Sequence, residues 1–161
     1  MAHRDEFESW ALSATGPLFR HAVVLIADRQ LAEDLVQETL TKMYVHWSHI
    51  DETAQPTAYA KQTLYRLFVS KRRLKSSGEL VTDAFPQLVA PDLDVESSID
   101  LVRAMRRLKP AERAVVVARY SEGLPASEVA QLLDRSEVWV RKTASRALAK
   151  LRNSSHLARP V

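Results

Sequence analysis

The sequence predicts an all-α protein made of two small helical modules joined by an acidic flexible linker. Three observations carry that prediction. Only three glycines occur in 161 residues, while Ala, Leu, Val, Arg and Glu recur, and that balance favours helix over strand. Apolar residues make up 46 % of the chain, enough for a real core, and they follow the helical period on both sides of one interruption. The interruption reads SSGELVTDAFPQLVAPDLDVESSID, with Gly78, Pro86, Pro91, two serine pairs and no sustained period. The expected organisation is a first module over residues 1–75, a linker over 76–99, a second module over 100–153 and a tail over 154–161.

The first module reads as a helix from Glu6 to Ala27 and a second from Leu31 to Trp47. The loop HIDETAQP then ends at Pro56, and a further helix runs from Thr57, a suitable N-cap, to Lys75. Past the linker, helices are expected over Ile99–Leu108, Pro110–Ser121, Pro125–Leu133 and Ser136–Leu151. Pro110 and Pro125 suit first helical turns, where a missing N–H costs nothing. The tail from Asn153 is expected to fray.

Charge is uneven along the chain. Residues 1–75 hold 10 Lys/Arg against 9 Asp/Glu, residues 76–100 hold none against 6, and residues 101–161 hold 13 against 5. A net +8 over the last segment points to a polyanionic partner, although charge alone also serves solubility. A net −6 strip beside it raises the prospect of a closed chain in which the modules mask one another.

Several classes are excluded. With no cysteine there is neither a disulfide framework nor a thiolate metal site or thiol nucleophile. No run of 18 apolar residues occurs, and the start MAHRDEFESW is acidic and polar, so membrane insertion is not expected and a cytoplasmic location is. His46 and His49 have no suitably spaced carboxylate for a metal site. No nucleophile, histidine and glycine-rich loop come together, so neither a catalytic site nor a cofactor is expected.

LPASEVAQLLDRSEVWVRK has the form of a helix-turn-helix: a short apolar helix, the turn Asp134-Arg135-Ser136 and a longer basic helix. Ser136 caps the second helix, and Glu137 suits its positive end. On a helical wheel Val140, Ala144, Ala147, Leu148 and Leu151 form a seam that packs on Val129, Leu132 and Leu133. The opposite side carries Val138, Trp139, Lys142, Ser145, Arg146 and Ala149, with Arg141 on the flank. Lys and Arg neutralise phosphates or donate to guanine edges, and Val138 and Trp139 suit thymine methyls or sugars. The plainer alternative is a solvated basic helix with Trp139 packed on a neighbour.

In LAEDLVQETLTKMYVHW, Val36, Leu40, Met43 and Trp47 fall on a core stripe. Asp34, Gln37, Glu38 and Thr41 share another side, which reads either as a solvated face or as a docking face for a protein. TAYAKQTLYRLFVSKRRLK buries Ala60, Leu64, Leu67 and part of Phe68. Its remainder interleaves Tyr59, Tyr65 and Phe68 with Lys61, Arg66, Lys71, Arg72, Arg73 and Lys75. Aromatics that stack on bases among cations that track a backbone suit melted DNA. A basic helix end with core aromatics is the alternative.

AEDLVQETL, then YAKQTLYRLFVSKRR, then LKPAERAVVVARYSEGLPASEVAQLLDRSEVWVRKTASRALAKLR, in that order, resemble the extracytoplasmic-function sigma factors of the sigma-70 family, most of all an actinobacterial subgroup. The resemblance covers about Phe7 to Arg152. It implies two helical domains, region 2 and region 4, that bind core RNA polymerase and promoter DNA and promote promoter melting. It implies that Asp34, Gln37, Glu38 and Thr41 dock on the polymerase β′ coiled-coil, and that the chain also meets the β flap. Tyr59, Lys61, Arg66, Lys71, Arg72 and Arg73 would read the melted −10 element. Arg135, Ser136, Glu137, Val138, Trp139, Arg141, Lys142 and Arg146 would read the −35 element. An anti-sigma factor is an implied partner. Arg66 and Ser70 depart from a common Asn and Asp, Asp134 from a turn glycine, and Trp139 from a small residue, which bears on promoter preference. A stand-alone helix-turn-helix regulator would leave the DLVQE face unexplained, and a nucleic-acid enzyme lacks its catalytic groups.

Overall fold

The computed structural model describes residues 2–50, 55–70 and 95–158, and the described segments hold helices and no strand. Helix α1 spans Ala2–Ile26, α2 Arg29–Val45, α3 Trp47–Ile50 and α4 Pro56–Ser70. After the linker come α5, Val95–Arg106, α6, Pro110–Val116, a π-helical turn over Val117–Ser121, α7, Ala126–Leu133, and α8, Glu137–Ala158.

Each boundary has a local cause. Ala27 takes a left-handed φ of 56°, which turns the chain out of α1, and Asp28 then caps α2 by accepting from the Leu31 N–H at 3.0 Å. Pro17 lies inside α1, where it removes one intrahelical bond beside exposed Gly16. Several expectations need correction at the ends. Thr57 lies inside α4, which starts at Pro56, and does not cap it. Trp47 belongs to the separate short α3 rather than to α2. The last helix does not fray at Asn153 but runs on to Ala158, since no breaker precedes Pro160.

In α6, Glu112 Oε1 accepts from the Lys109 N–H at 2.9 Å, which satisfies a donor at the helix start. The same oxygen accepts from Lys150 Nζ of α8 at 2.8 Å. Burial pushes the Glu112 carboxyl up, but the Lys150 bond and the Lys109 N–H outweigh it and hold it below the usual carboxylate range. A depressed folded pKa contributes stability above the usual range, and that stability is lost as pH falls through the folded value. Glu112→Gln is therefore expected to lower stability at pH 7 by about 1–2 kcal/mol. The deficit relative to the native chain should shrink as melts are repeated down to about pH 3. A deficit that stays constant with pH would rule out the ionic part.

One buried core runs through both modules. It joins Leu25, Val23, Met43, Leu64, Tyr65 and Phe68 of the first to Val115, Val129, Val140 and Ala147 of the second. The modules are thus closed on one another, and residues of the modules themselves make the contact. The acidic linker, apart from its last residues at the start of α5, lies outside the described residues, and so does the part expected of it in closure.

Arginines of the second module finish helix α1. Its last carbonyls have no intrahelical donor. Arg113 Nη1 donates to the Leu25 and Ile26 carbonyls at 2.9 and 3.3 Å, and Arg106 Nη2 donates to the Ala27 carbonyl at 2.9 Å. Arg113 Nε also donates to the Met105 carbonyl at 2.8 Å. Burial, with Arg106 nearby, pulls the Arg113 pKa down to about 10, so the group stays charged at neutral pH. A cation at the negative end of a helix is well placed electrostatically.

Candidate nucleic-acid interface

The helix-turn-helix forms as its sequence requires. Asp134 ends α7 in the left-handed region at φ 56°, ψ 52°, a conformation Asp tolerates better than most residues. The Arg135 N–H closes the turn on the Ala130 carbonyl at 2.9 Å. Ser136 Oγ then accepts from the Trp139 N–H at 3.1 Å, the expected cap.

The seam of α8 packs inward: Val140, Ala144 and Ala147 are buried, and Leu148 and Leu151 are half-buried. Thr143 is buried beside them. Arg135, Ser136, Glu137, Val138, Arg141, Lys142 and Arg146 are exposed. Val138 is 58 % exposed, so an apolar side chain stands largely open to solvent among cations.

Trp139 differs from the wheel. It is half-buried, packs on the core and lines a cleft of about 370 Å³ with Lys109, Ala111 and Thr143. The Arg135 guanidinium sits over its ring, 5.2 Å from the centroid. A wheel assigns 100° per residue, but a large ring at the edge of a seam reaches the next helix regardless of its nominal angle. Trp139 therefore holds the start of α8 and braces Arg135.

The DLVQE face is open. Asp34, Gln37 and Thr41 are exposed and Glu38 is half-exposed, while Ala32, Leu35, Val36, Thr39 and Met43 carry the packing of α2. Within the face Gln30 Nε2 donates to Asp34 Oδ1 at 3.3 Å, and Thr41 Oγ1 donates to the Gln37 carbonyl at 2.9 Å.

The basic aromatic helix α4 is divided. Tyr65 and Phe68 are fully buried, so neither is placed to stack on a base, and the grouping of Tyr65 with exposed aromatics is corrected. Tyr59 is half-buried at the edge of a groove of about 320 Å³ between α2 and α4. Lys42, His46, Thr63, Arg66, Leu67 and Ser70 complete its walls. Lys42, in the last turn of α2, and His46, its C-cap residue, are four residues apart and so share a side of the helix end. In the sequence His46 is weighed only as a metal ligand, and Lys42 is not singled out. Lys71, Arg72 and Arg73 lie outside the described residues.

Lys61 and Arg66 face the second module. Lys61 Nζ pairs with Glu122 Oε1 at 2.6 Å. Arg66 donates from Nε to the Leu132 carbonyl at 3.1 Å and from Nη2 to the Gln131 carbonyl at 3.0 Å. Among the described residues no cluster of three or more His, Asp or Glu is placed to hold a metal, and no helix is long and apolar enough to cross a membrane.

Comparison with known proteins gives this geometry its context. Residues 10–77 match the family model Sigma-70 region 2, and residues 104–153 match Sigma-70, region 4. The chain is 31 % identical over 157 residues to an RNA polymerase sigma-E factor of Streptomyces avermitilis, covering 94 % of this chain and 87 % of that one. It is 31 % identical over 143 residues to the ECF RNA polymerase sigma factor SigL of Mycobacterium tuberculosis, covering 84 % and 80 %. In fold it is similar to the sigma factor RpoE of Bartonella quintana, solved with the anti-sigma factor NepR. That match has a TM-score of 0.68 at 20 % identity, over 96 % of this chain and 99 % of that one.

Proposed function

The chain belongs to the sigma-70 family, among its extracytoplasmic-function members, and from that premise we propose how its surfaces divide the work of promoter recognition. It is a transcription initiation factor that directs RNA polymerase to promoters through −35 and −10 recognition and promotes melting.

In this reading Asp34, Gln37, Glu38 and Thr41 engage the β′ coiled-coil of core polymerase, and the second module meets the β flap. The exposed side of α8 enters the major groove at −35. Arg141, Lys142 and Arg146 neutralise phosphates, Arg135 approaches the backbone from its Trp139 support, and Ser136, Glu137 and Val138 face base edges. Tyr59, Lys61 and Arg66, with Lys71, Arg72 and Arg73, take the unpaired −10 strand. The groove lined by Lys42, His46 and Tyr59 has walls suited to an unstacked base: cations for the phosphate and rings for the base face. Binding of extruded bases and −35 contacts offsets the cost of opening, a few kcal/mol per disrupted step. An anti-sigma factor is the regulator we expect, one that covers the DLVQE face, α8, or both. Residues 1–75, 76–99 and 100–153 are the proposed functional units.

One observation carries this reading: region 2 and region 4 occur in order on one chain, with the DLVQE face and the α8 face both exposed. The test is transcription in vitro with purified core polymerase on a genomic fragment library. Discrete start sites are expected only when chain and core are combined. Tight duplex binding by the chain alone, as a dimer on a palindrome and without transcripts, would overturn it.

A further inference from the structure

Helix α8 carries a third stripe, between its buried seam and its exposed side. Trp139, Thr143, Arg146 and Lys150 stand at i, i+4, i+7 and i+11, so they lie one above another along the helix. With Lys109 and Glu112 they line the cleft of about 370 Å³ between α6 and α8. Glu112 is buried, and its Oε1 already accepts from the Lys109 N–H and from Lys150 Nζ. That carboxylate and the Lys150 ammonium offset one another. Lys109 and Arg146, both exposed, are left to set the charge of the cleft.

Thr143 is the buried hydroxyl of the lining, 6 % exposed. Helical threonines commonly return the hydroxyl to the carbonyl four residues back. Thr15, Thr39, Thr41 and Thr63 all do so in this chain. Among the described residues, Thr143 makes no side-chain hydrogen bond. A buried hydroxyl left unpaired is costly, and a partner entering the cleft would relieve that cost.

Two cations, an unpaired hydroxyl and an indole wall suit a ligand that joins phosphate to a flat ring. Small-molecule sites span roughly 300–1,000 Å³, so the cleft is large enough for such a ligand. The backbone of a duplex would stop at Lys109 and Arg146 and leave the buried Thr143 hydroxyl unreached. We propose that the cleft is a nucleotide site, in which Lys109 and Arg146 bind the phosphates, Thr143 Oγ1 donates to a phosphate oxygen and Trp139 walls the base. Arg146 also belongs to the proposed −35 surface, so an occupied cleft withdraws that cation from the duplex. Only this last consequence rests on the −35 assignment above.

The experiment titrates the full chain, without polymerase or magnesium, with ATP, inorganic triphosphate and adenosine, read by calorimetry and tryptophan emission. ATP is expected to bind saturably, triphosphate more weakly and adenosine most weakly. Thr143→Val keeps the size and loses the hydroxyl, and should weaken ATP binding about tenfold, the worth of one hydrogen bond to a charged group. Its melting temperature should be no lower than that of the native chain, because no bond of the unliganded protein is lost. A lower one would assign the hydroxyl to the fold and overturn its part here. Lys109→Gln and Arg146→Gln should each weaken ATP binding by a similar factor. Arg103→Gln removes an equal charge from an exposed site on α5 outside the cleft and should leave it unchanged. Trp10 and Trp47 lie in the first module, so quenching of emission by ATP should vanish in Trp139→Phe. No saturable binding, or an equal loss in Arg103→Gln, would overturn the site. So would variants at Thr143 and Lys109 that weaken promoter binding by the chain with core polymerase while ATP affinity holds, since the cleft would then take a backbone phosphate.

Discussion

Replacing Asp34, Gln37 and Glu38 together with alanine is expected to abolish co-elution with bacterial core RNA polymerase while leaving the chain folded. The face does little for the fold. Asp34 and Gln37 are exposed and Glu38 is half-exposed, and the buried side of α2 is made by Ala32, Leu35, Val36, Thr39 and Met43. Surface changes of this kind move stability by about 0.5 kcal/mol or less. Alanine is also the better helix former at each position. Binding is another matter, because the few hot-spot residues of a protein interface cost about 2 kcal/mol or more each when truncated, and the three positions are proposed as such a cluster. Even partial additivity across three positions lowers affinity by roughly 100-fold or more. Size-exclusion chromatography with core polymerase reads the loss, and a thermal melt of the variant checks the fold. Undiminished co-elution would detach the DLVQE face from polymerase docking.

What could be read from the sequence divides along a physical line. Features set by neighbours in the chain were legible. The αL turn at Asp134, the Ser136 cap and the stripe of Val36, Met43 and Trp47 arise from local backbone chemistry and the helical period. Contacts between the modules were not, because a single sequence does not say which polar residue meets which across a linker. Glu122 belongs to no motif in the sequence and is the meeting point of His21, Lys61 and Tyr65. Arg113 looked like one more cation of a basic module and instead finishes α1. Tyr65 lay among cations and so read as exposed, yet its ring is in the shared core. Trp139 sat on the polar side of a wheel and is a brace. In each case a bulky or charged side chain reaches past its own helix, and the period of that helix carries no record of it.

Removing the cations of α8 is expected to change how promoter binding depends on salt. In Arg141→Gln/Lys142→Gln/Arg146→Gln, three exposed charges are lost from a side of the helix that carries no core seam. Glutamine keeps helix propensity and length, so α8 should persist. Each lost phosphate contact makes the slope of log affinity against log salt shallower by about 0.9. If all three contact phosphates, the slope flattens by about 2.7, and raising salt from 50 to 200 mM weakens the variant roughly forty-fold less than the native chain. The loss should be similar across promoter sequences, since phosphate contacts carry no base information. Val138→Ala is the matching control. It removes an apolar contact and no charge, so the salt slope should hold while the preference for thymine at one −35 position declines. Both are measured on chain assembled with core polymerase, by competition among −35 variants at several salt concentrations. An unchanged slope in the triple variant would mean that the exposed cations of α8 face solvent, and the −35 surface would then have to be sought around Arg135 and Trp139 instead.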